Sequence, residues 1–299
     1  MSLGDFLQVL ISGISKGSIY TLMAQGLLIT YLTTRALNFG QGDFLMLASF
    51  LAMAALVAGW PVWLSVLAVI VAMGLLGAVI ERVAVAPLAR QRIGSAGSLA
   101  WILTTMGFGM LIQNTAELVW GKSSMYSPPL FSTQKQHIVR IGEAGFYLEE
   151  LAVAVLALLI VAAFYWLLFR ARWGKEVAAV AFDKDTAALL GIDVRRTVVL
   201  SYVIMSMLAA ASGILAGPVT TVQVHMGIVF IIKGFAVISI GGFANPLGIL
   251  IAGIGFGLLE SFSNYFDSGF GDLYPFLAAV LLLIIRPSGL FGEHQADVR

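Results

Sequence analysis

Few side chains in this 299-residue chain can do chemistry, since Asp, Glu, Lys and Arg together make up only 11% of it. Lys233 is the one basic residue inside the long apolar tract from 197 to 259, and Glu260 follows directly after it. A charge within such a tract is costly and by default marks a transport pathway or a paired site, with Glu260 or Asp43 as possible partners. The competing account is a lysine that snorkels to the interface from a span end, because Gly227 opens its segment only six residues earlier. A second feature is Asn38-Phe39-Gly40-Gln41-Gly42-Asp43, which packs two glycines and three polar side chains between apolar segments. Unwound backbone at membrane depth is tolerated only inside protein or along a wet cavity. Asn38, Gln41 and Asp43 therefore belong either to a discontinuous helix lining a pathway or to a plain loop beside Arg35.

Enzyme chemistry has little to stand on. His137, His225 and His294 lie far apart, and no His-Glu-x-x-His or Walker pattern occurs. With no cysteine there is no disulfide, thiolate metal site or cysteine nucleophile. No metal, no cofactor and no catalytic residue is expected in this chain. The formal net charge of +1 argues against a polyanionic partner, so nucleic acid is not expected either. Uphill transport would draw on an ion gradient or on an ATPase carried by another chain.

The elements that must position these residues follow from composition. Hydrophobic residues make up 60% of the chain and mean hydropathy is +0.96, against roughly 45–50% apolar residues in a soluble domain. An integral membrane protein is the consequence, because soluble domains need more polar surface to cover their cores. The N-terminal residues lack the basic region of a secretory signal, so the first apolar segment is expected to stay in the mature protein. Charge-free runs at 44 to 80, 93 to 116, 151 to 169, 197 to 232 and 234 to 259 mark spans. Three of these runs split at Gly59-Trp60-Pro61, Gly217-Pro218 and the stretch from Gly241 to Pro246. With an opening segment at 6 to 32 and a closing one at 272 to 286 there are nine candidates, those at 228 to 241 and 272 to 286 being short. The expected fold is one all-α polytopic membrane domain over 1–299, with about eight to ten transmembrane helices, some discontinuous.

Lys and Arg collect at 82 to 92 and 170 to 196, which places both stretches in the cytoplasm, the 119 to 150 segment outside, and the N-terminus outside. Gly74, Gly77 and Glu81 resemble the spacing of Gly253, Gly257 and Glu260, either as a worn internal repeat or as small residues that let helices pack closely. The segment from Lys175 to Leu190 is rich in helix formers, and Gly191 can end it. A short amphipathic cytoplasmic helix is expected there. It lacks the lysine-rich face of a lipid-surface helix, which favours docking into a partner's groove.

Six ordered blocks resemble a known family. They are Leu37-Asn38-Phe39-x-x-Gly42-Asp43-Phe44-x-Met46-Leu47, Glu81-Arg82-x-Ala84-x-x-Pro87-Leu88, Asp185-x-Ala187-Ala188-Leu189-Leu190-Gly191-Ile192, Lys233-x-Phe235, Gly241-Gly242-Phe243-x-Asn245-Pro246-x-Gly248, and Arg286-Pro287-x-Gly289-Leu290-Phe291-Gly292. The chain is similar to the permease subunits of ATP-binding-cassette importers for branched-chain amino acids, and to the shorter of their two permease types. The resemblance implies a multi-pass protein of the bacterial inner membrane, working by alternating access. It implies partners as well: a second permease, two ATPase subunits that hydrolyse ATP, and a periplasmic substrate-binding protein. The cytoplasmic segment of about 176–191 becomes a coupling helix seated on the ATPase through Glu176, Asp183, Asp185, Ala187, Ala188 and Gly191. Asn38, Gln41, Asp43, Lys233 and Glu260 become candidates for the translocation pathway. The first block commonly reads Asn-Phe-Ala-His-Gly in the family but carries Gly40 and Gln41 here, which leaves leucine-type amino acids, urea, short amides and aromatic acids open as substrates. A secondary transporter with Lys233 and Glu260 as an ion relay is the alternative from another class.

Overall fold

The computed structural model describes residues 2–87, 96–131, 138–141 and 144–292. Arg90, Arg92, His137 and His294 lie outside the described residues, as does part of the 119 to 150 segment. Helix α1 (Leu3–Thr34) opens with a capping box between Ser2 and Asp5, and stops where Arg35 turns left-handed at φ 58°. Its 32 residues span about 48 Å, longer than a bilayer's hydrocarbon core. α2 (Gln41–Val57) leads through the turn at Gly59 to α3 (Val62–Ile80), which continues as a π-helical turn over Glu81–Val85. α4 (Ala96–Trp120) follows, then an antiparallel hairpin of β1 (Ile138–Ile141) and β2 (Ala144–Tyr147), with Ile138 opposite Tyr147. α5 (Leu148–Arg170) runs into the short helices α6 (Arg172–Phe182) and α7 (Lys184–Leu189). α8 (Val194–Ala216), α9 (Met226–Gly241), α10 (Pro246–Phe266) and α11 (Leu273–Ile285) complete the bundle.

The core is built around α1 and α8, where Leu22, Met23, Leu28, Tyr202 and Met205 are fully buried. α1 packs most extensively on α10 and α8, and α8 in turn on α2 and α3. Among the described residues, four helices are long and apolar enough to cross a membrane alone: Val62–Val85, Leu148–Arg170, Val194–Ala216 and Pro246–Phe266. The breaks expected at Gly59 to Pro61, at Gly217-Pro218 and before Pro246 all fall between helices, and α9 and α11 are short as expected. At α10 the reason is local: the Asn245 side chain accepts from Leu247 N and Gly248 N, and Pro246 occupies the first helical turn, where a missing N–H costs nothing.

Two expectations need correction. The segment from 175 to 190 is not one helix, because Asp183 takes an extended conformation (φ −157°, ψ 123°), ends α6 and caps α7 with its side chain on Thr186 N at 2.6 Å. An aspartate is a strong N-cap, and its local hydrogen bond outcompetes helix continuation. The β-hairpin at 138–147 was not anticipated either; it is too short to give a clear alternating pattern.

Small residues let helices meet at backbone distance. A Cβ on Gly257 would stand 2.4 Å from both Gly13 O and Gly17 N, and one on Gly17 would stand 2.5 Å from Gly253 O. Those are main-chain atoms of two long helices and cannot step aside, which is the close-packing reading of the Gly253 and Gly257 spacing. Gly255, on the same helix, has nothing within 4 Å of its Cβ position. Gly257→Val is therefore expected to destabilise the detergent-solubilised protein by about 1–3 kcal/mol, seen as a lowered thermal midpoint, whereas Gly255→Val leaves the midpoint where it was.

Candidate functional site

The chain returns into the bundle directly after α1. Gln41 Nε2 donates to Met23 O at 2.8 Å, and Met23 lies twelve residues before Arg35, about 18 Å along the helix. Residues 36–40 thus climb back alongside α1, and α2 begins well inside the protein. α9 starts at the same level: a Cβ on Gly42 would lie 2.2 Å from Gly227 O, and one on Gly227 would lie 2.6 Å from Gly42 O. From this contact α2 and α9 run toward opposite ends of the bundle. Of the two accounts of Asn38 to Asp43, the interrupted helix is what the geometry has, not a loop at the surface.

Within that block the three polar side chains differ. Asn38 and Gln41 are buried; Asn38 Oδ1 accepts from Gly40 N at 3.1 Å and so holds the turn into α2. Asp43 is only partly buried, and no hydrogen-bond or ion-pair partner meets its carboxylate among the described residues. Its Oδ2 lies over Gly109 of α4, where a Cβ would come within 2.1 Å. The carboxylate opens onto a cavity of about 200 Å³ between α2, α4 and α9, walled by Phe39, Met106, Met110 and Ile231. At its edge Gln113 Nε2 and His225 Nδ1 are 2.9 Å apart, the amide donating if that ring nitrogen is unprotonated.

Lys233 and Glu260 form a separate cluster. Lys233 Nζ is 2.8 Å from Glu260 Oε2, and the residues are 6% and 3% exposed, which rules out a snorkelling lysine. Tyr20 OH sits 2.9 and 3.0 Å from the two Glu260 oxygens, and Lys233 Nζ also reaches Tyr20 OH at 3.2 Å. Lys16 Nζ approaches Oε1 at 3.6 Å, and Asp272 Oδ1 approaches Lys233 at 3.3 Å from the start of α11. Two cations and two carboxylates from four helices thus balance in one cluster. Asp43, the other partner considered for Lys233, is not part of it. Lys16, Tyr20 and Asp272 went unnoticed in sequence, although Asp5, Gln8, Ser12, Lys16 and Tyr20 recur every three to four residues along α1.

The basic end of the bundle carries α6 and α7, with Arg35 donating to Ala181 O. Ala187 is buried and Glu176 half-buried, whereas Asp185 and Ala188 are exposed. Phe182, Leu189 and Leu190 are 88%, 89% and 74% exposed, an apolar surface of the chain's own making. Gly191 closes α7 at φ 82°, a conformation that favours glycine. The bonds to Thr186 hold the Asp183 carboxyl below the usual carboxylate range.

A polytopic all-α bundle in which two short apolar helices begin side by side in the interior is the architecture of a multi-pass membrane protein. The family model described as branched-chain amino acid transport system / permease component matches residues 9–286. The chain belongs to this family. It is 27% identical to the high-affinity branched-chain amino acid transport system permease protein LivH of Salmonella typhimurium, over 98% of this chain and 97% of that one. It is 28% identical to the corresponding permease BraD of Pseudomonas aeruginosa over the same shares. Among solved structures, PsaBC from Streptococcus pneumoniae in complex with Fab aligns with a TM-score of 0.49 at 15% identity, covering 95% of this chain and 91% of that one.

Because the Lys233–Glu260 pair is buried, removing Lys233 leaves Glu260 with only Tyr20 and the more distant Lys16, at a cost of up to about 3–5 kcal/mol, while removing both is nearly neutral. Lys233→Met alone is expected to lower expression and thermal midpoint sharply, and Lys233→Met with Glu260→Gln to restore most of both, as read by fluorescence-detected size exclusion.

Proposed function

We propose that this chain is the permease subunit of an ATP-driven importer of branched-chain or related amino acids, and that energy reaches it through α6 and α7. The observation that carries this reading is the family match over 9–286, in a chain with no motif for binding or hydrolysing ATP. ATP is then hydrolysed by two partner ATPase subunits. A second permease completes the membrane pore, and a periplasmic binding protein delivers substrate at the hairpin end. Arg35, Arg170, Arg172, Lys175, Arg195, Arg196 and Arg286 gather at the opposite end, which the excess of Lys and Arg assigns to the cytoplasm.

The exposed apolar tip formed by Phe182, Leu189 and Leu190 next to Ala188 suits a groove on the ATPase. Asp183 and Gly191 shape that tip, and Ala187 anchors it to the bundle. Of the five pathway candidates, Asp43 faces the cavity, Asn38 and Gln41 hold its helix in place, and Lys233 with Glu260 ties the helices behind it. A self-sufficient ion-coupled transporter has no use for the docking tip. A closed, neutralised Lys233–Glu260 pair also makes a poor relay.

Ala188 is exposed in the free subunit, so a large side chain there disturbs a partner and not this fold. Ala188→Trp is expected to abolish co-purification of the ATPase subunits, or to uncouple ATP hydrolysis from uptake, with an unchanged thermal midpoint of the isolated permease. Full ATP-dependent uptake by this variant in proteoliposomes would exclude α7 as the coupling contact.

A further inference from the structure

We propose that the cavity between α2, α4 and α9 is a transit subsite for a zwitterionic aliphatic amino acid, with the Asp43 carboxylate receiving the ammonium and the surrounding apolar walls receiving the side chain. The inference rests on the transport reading above and adds a group-by-group recognition inside the membrane.

The first observation is an unpaired charge. Asp43 stands in the first turn of α2, which begins deep in the bundle, and among the described residues neither a donor nor a cation meets its carboxylate. Lys233 and Glu260, by contrast, are closed off by partners. A carboxylate left open at this depth cannot face lipid tails, so its open side faces water and, in transit, a cationic group.

The second observation is the chemistry of the walls. Apart from Asp43 and Gln113, the side chains around the cavity are apolar, Met106, Met110, Ile228 and Ile232 among them. One anionic group among apolar walls suits a ligand with one cationic head and an apolar body. A polyhydroxylated sugar would find too few polar partners here. At about 200 Å³ the space is smaller than the roughly 300–1,000 Å³ of drug-sized sites and fits a short aliphatic side chain.

The third observation is that the carboxylate is held in place. Gly109 leaves room for Oδ2, the Gly42–Gly227 contact fixes the turn that carries it, and Asn38 and Gln41 bind that turn from behind. Rigid backing of this kind lets a weak, passing ligand be recognised without ordering the site anew.

The test uses the complete importer with ATPase subunits and binding protein. The chain has no cysteine, so Met110→Cys supplies a single reporter, with Ile228→Cys as a second, and its rate of alkylation by a maleimide is followed. Leucine and 3-methylbutylamine, which both carry the ammonium, are expected to slow labelling several-fold at millimolar concentration. The deaminated analogue 4-methylpentanoate is not, and Asp43→Asn is expected to abolish protection by the first two. Equal protection by all three compounds, protection by none, or protection that persists in Asp43→Asn overturns the proposal. If Asp43→Asn does not assemble, the comparison of the three compounds in the Asp43 chain decides alone. Wild-type uptake keeps the two levels apart: without ATP-driven leucine uptake the transport reading fails, whereas uptake with no ammonium-dependent protection sinks only the subsite.

Discussion

Every backbone N–H and C=O inside an apolar bundle needs a partner from within the protein, and this requirement governs the centre of the molecule. α2 and α9 both begin there, with first-turn N–H groups that no preceding helical residue can satisfy. Part of the demand is met by local turns, Gln41 N donating to Asn38 O, Asp43 N to Gly40 O and Met226 N to Gln223 O, while the two starts press together at Gly42 and Gly227, main chain against main chain. Side chains as small as glycine are what permit the contact. Asn38 supplies the acceptor for Gly40 N, and Gln41 ties the turn to Met23. What would be a defect in a continuous helix becomes an ordered interior junction, and a junction between two half-helices pointing opposite ways is a suitable place to open and close a path.

Behind that junction the Lys233–Glu260 cluster serves a different purpose. A buried ion pair seldom stabilises a protein more than apolar residues of the same volume would, because the desolvation of both ions offsets their attraction. Its geometry nevertheless joins α1 through Tyr20 and Lys16, α9 through Lys233, α10 through Glu260 and the start of α11 through Asp272. Any relative slip of these helices would separate charges that have no other partners nearby. The cluster is thus better understood as setting register among four helices than as adding to their overall stability. The Gly13, Gly17, Gly253 and Gly257 contact does the corresponding work by shape, locking α1 to α10 through main-chain proximity.

That path begins at a break. Asp183 interrupts what would otherwise be one amphipathic helix, and the interruption turns α7 so that Ala187 faces inward while Ala188, Leu189 and Leu190 face out. Arg35 holds the preceding helix at Ala181 and ends α1, so the exposed tip connects to the helix on which the interior cluster is built.

Much of this was legible in the residues themselves. Long apolar runs dictate helices where backbone groups have no water to bond, and Gly-Pro and Asn-Pro pairs dictate where those helices stop; the breaks at Gly217-Pro218 and before Pro246 are local chemistry. The isolation of Lys233 and the crowding of polar residues at Asn38 to Asp43 likewise stood out, because polar groups in an apolar chain are rare enough to be conspicuous. Their partners were not legible. Glu260 meets Lys233, Tyr20 and Lys16 only because three helices distant in sequence cross at one level, and a sequence carries no record of depth. For the same reason Asp43 could not be told apart from Asn38 and Gln41. All three are polar residues in one short block, and only the placement of α4, with Gly109 opposite the carboxylate, leaves one of them open to a cavity while the other two are buried in the wall.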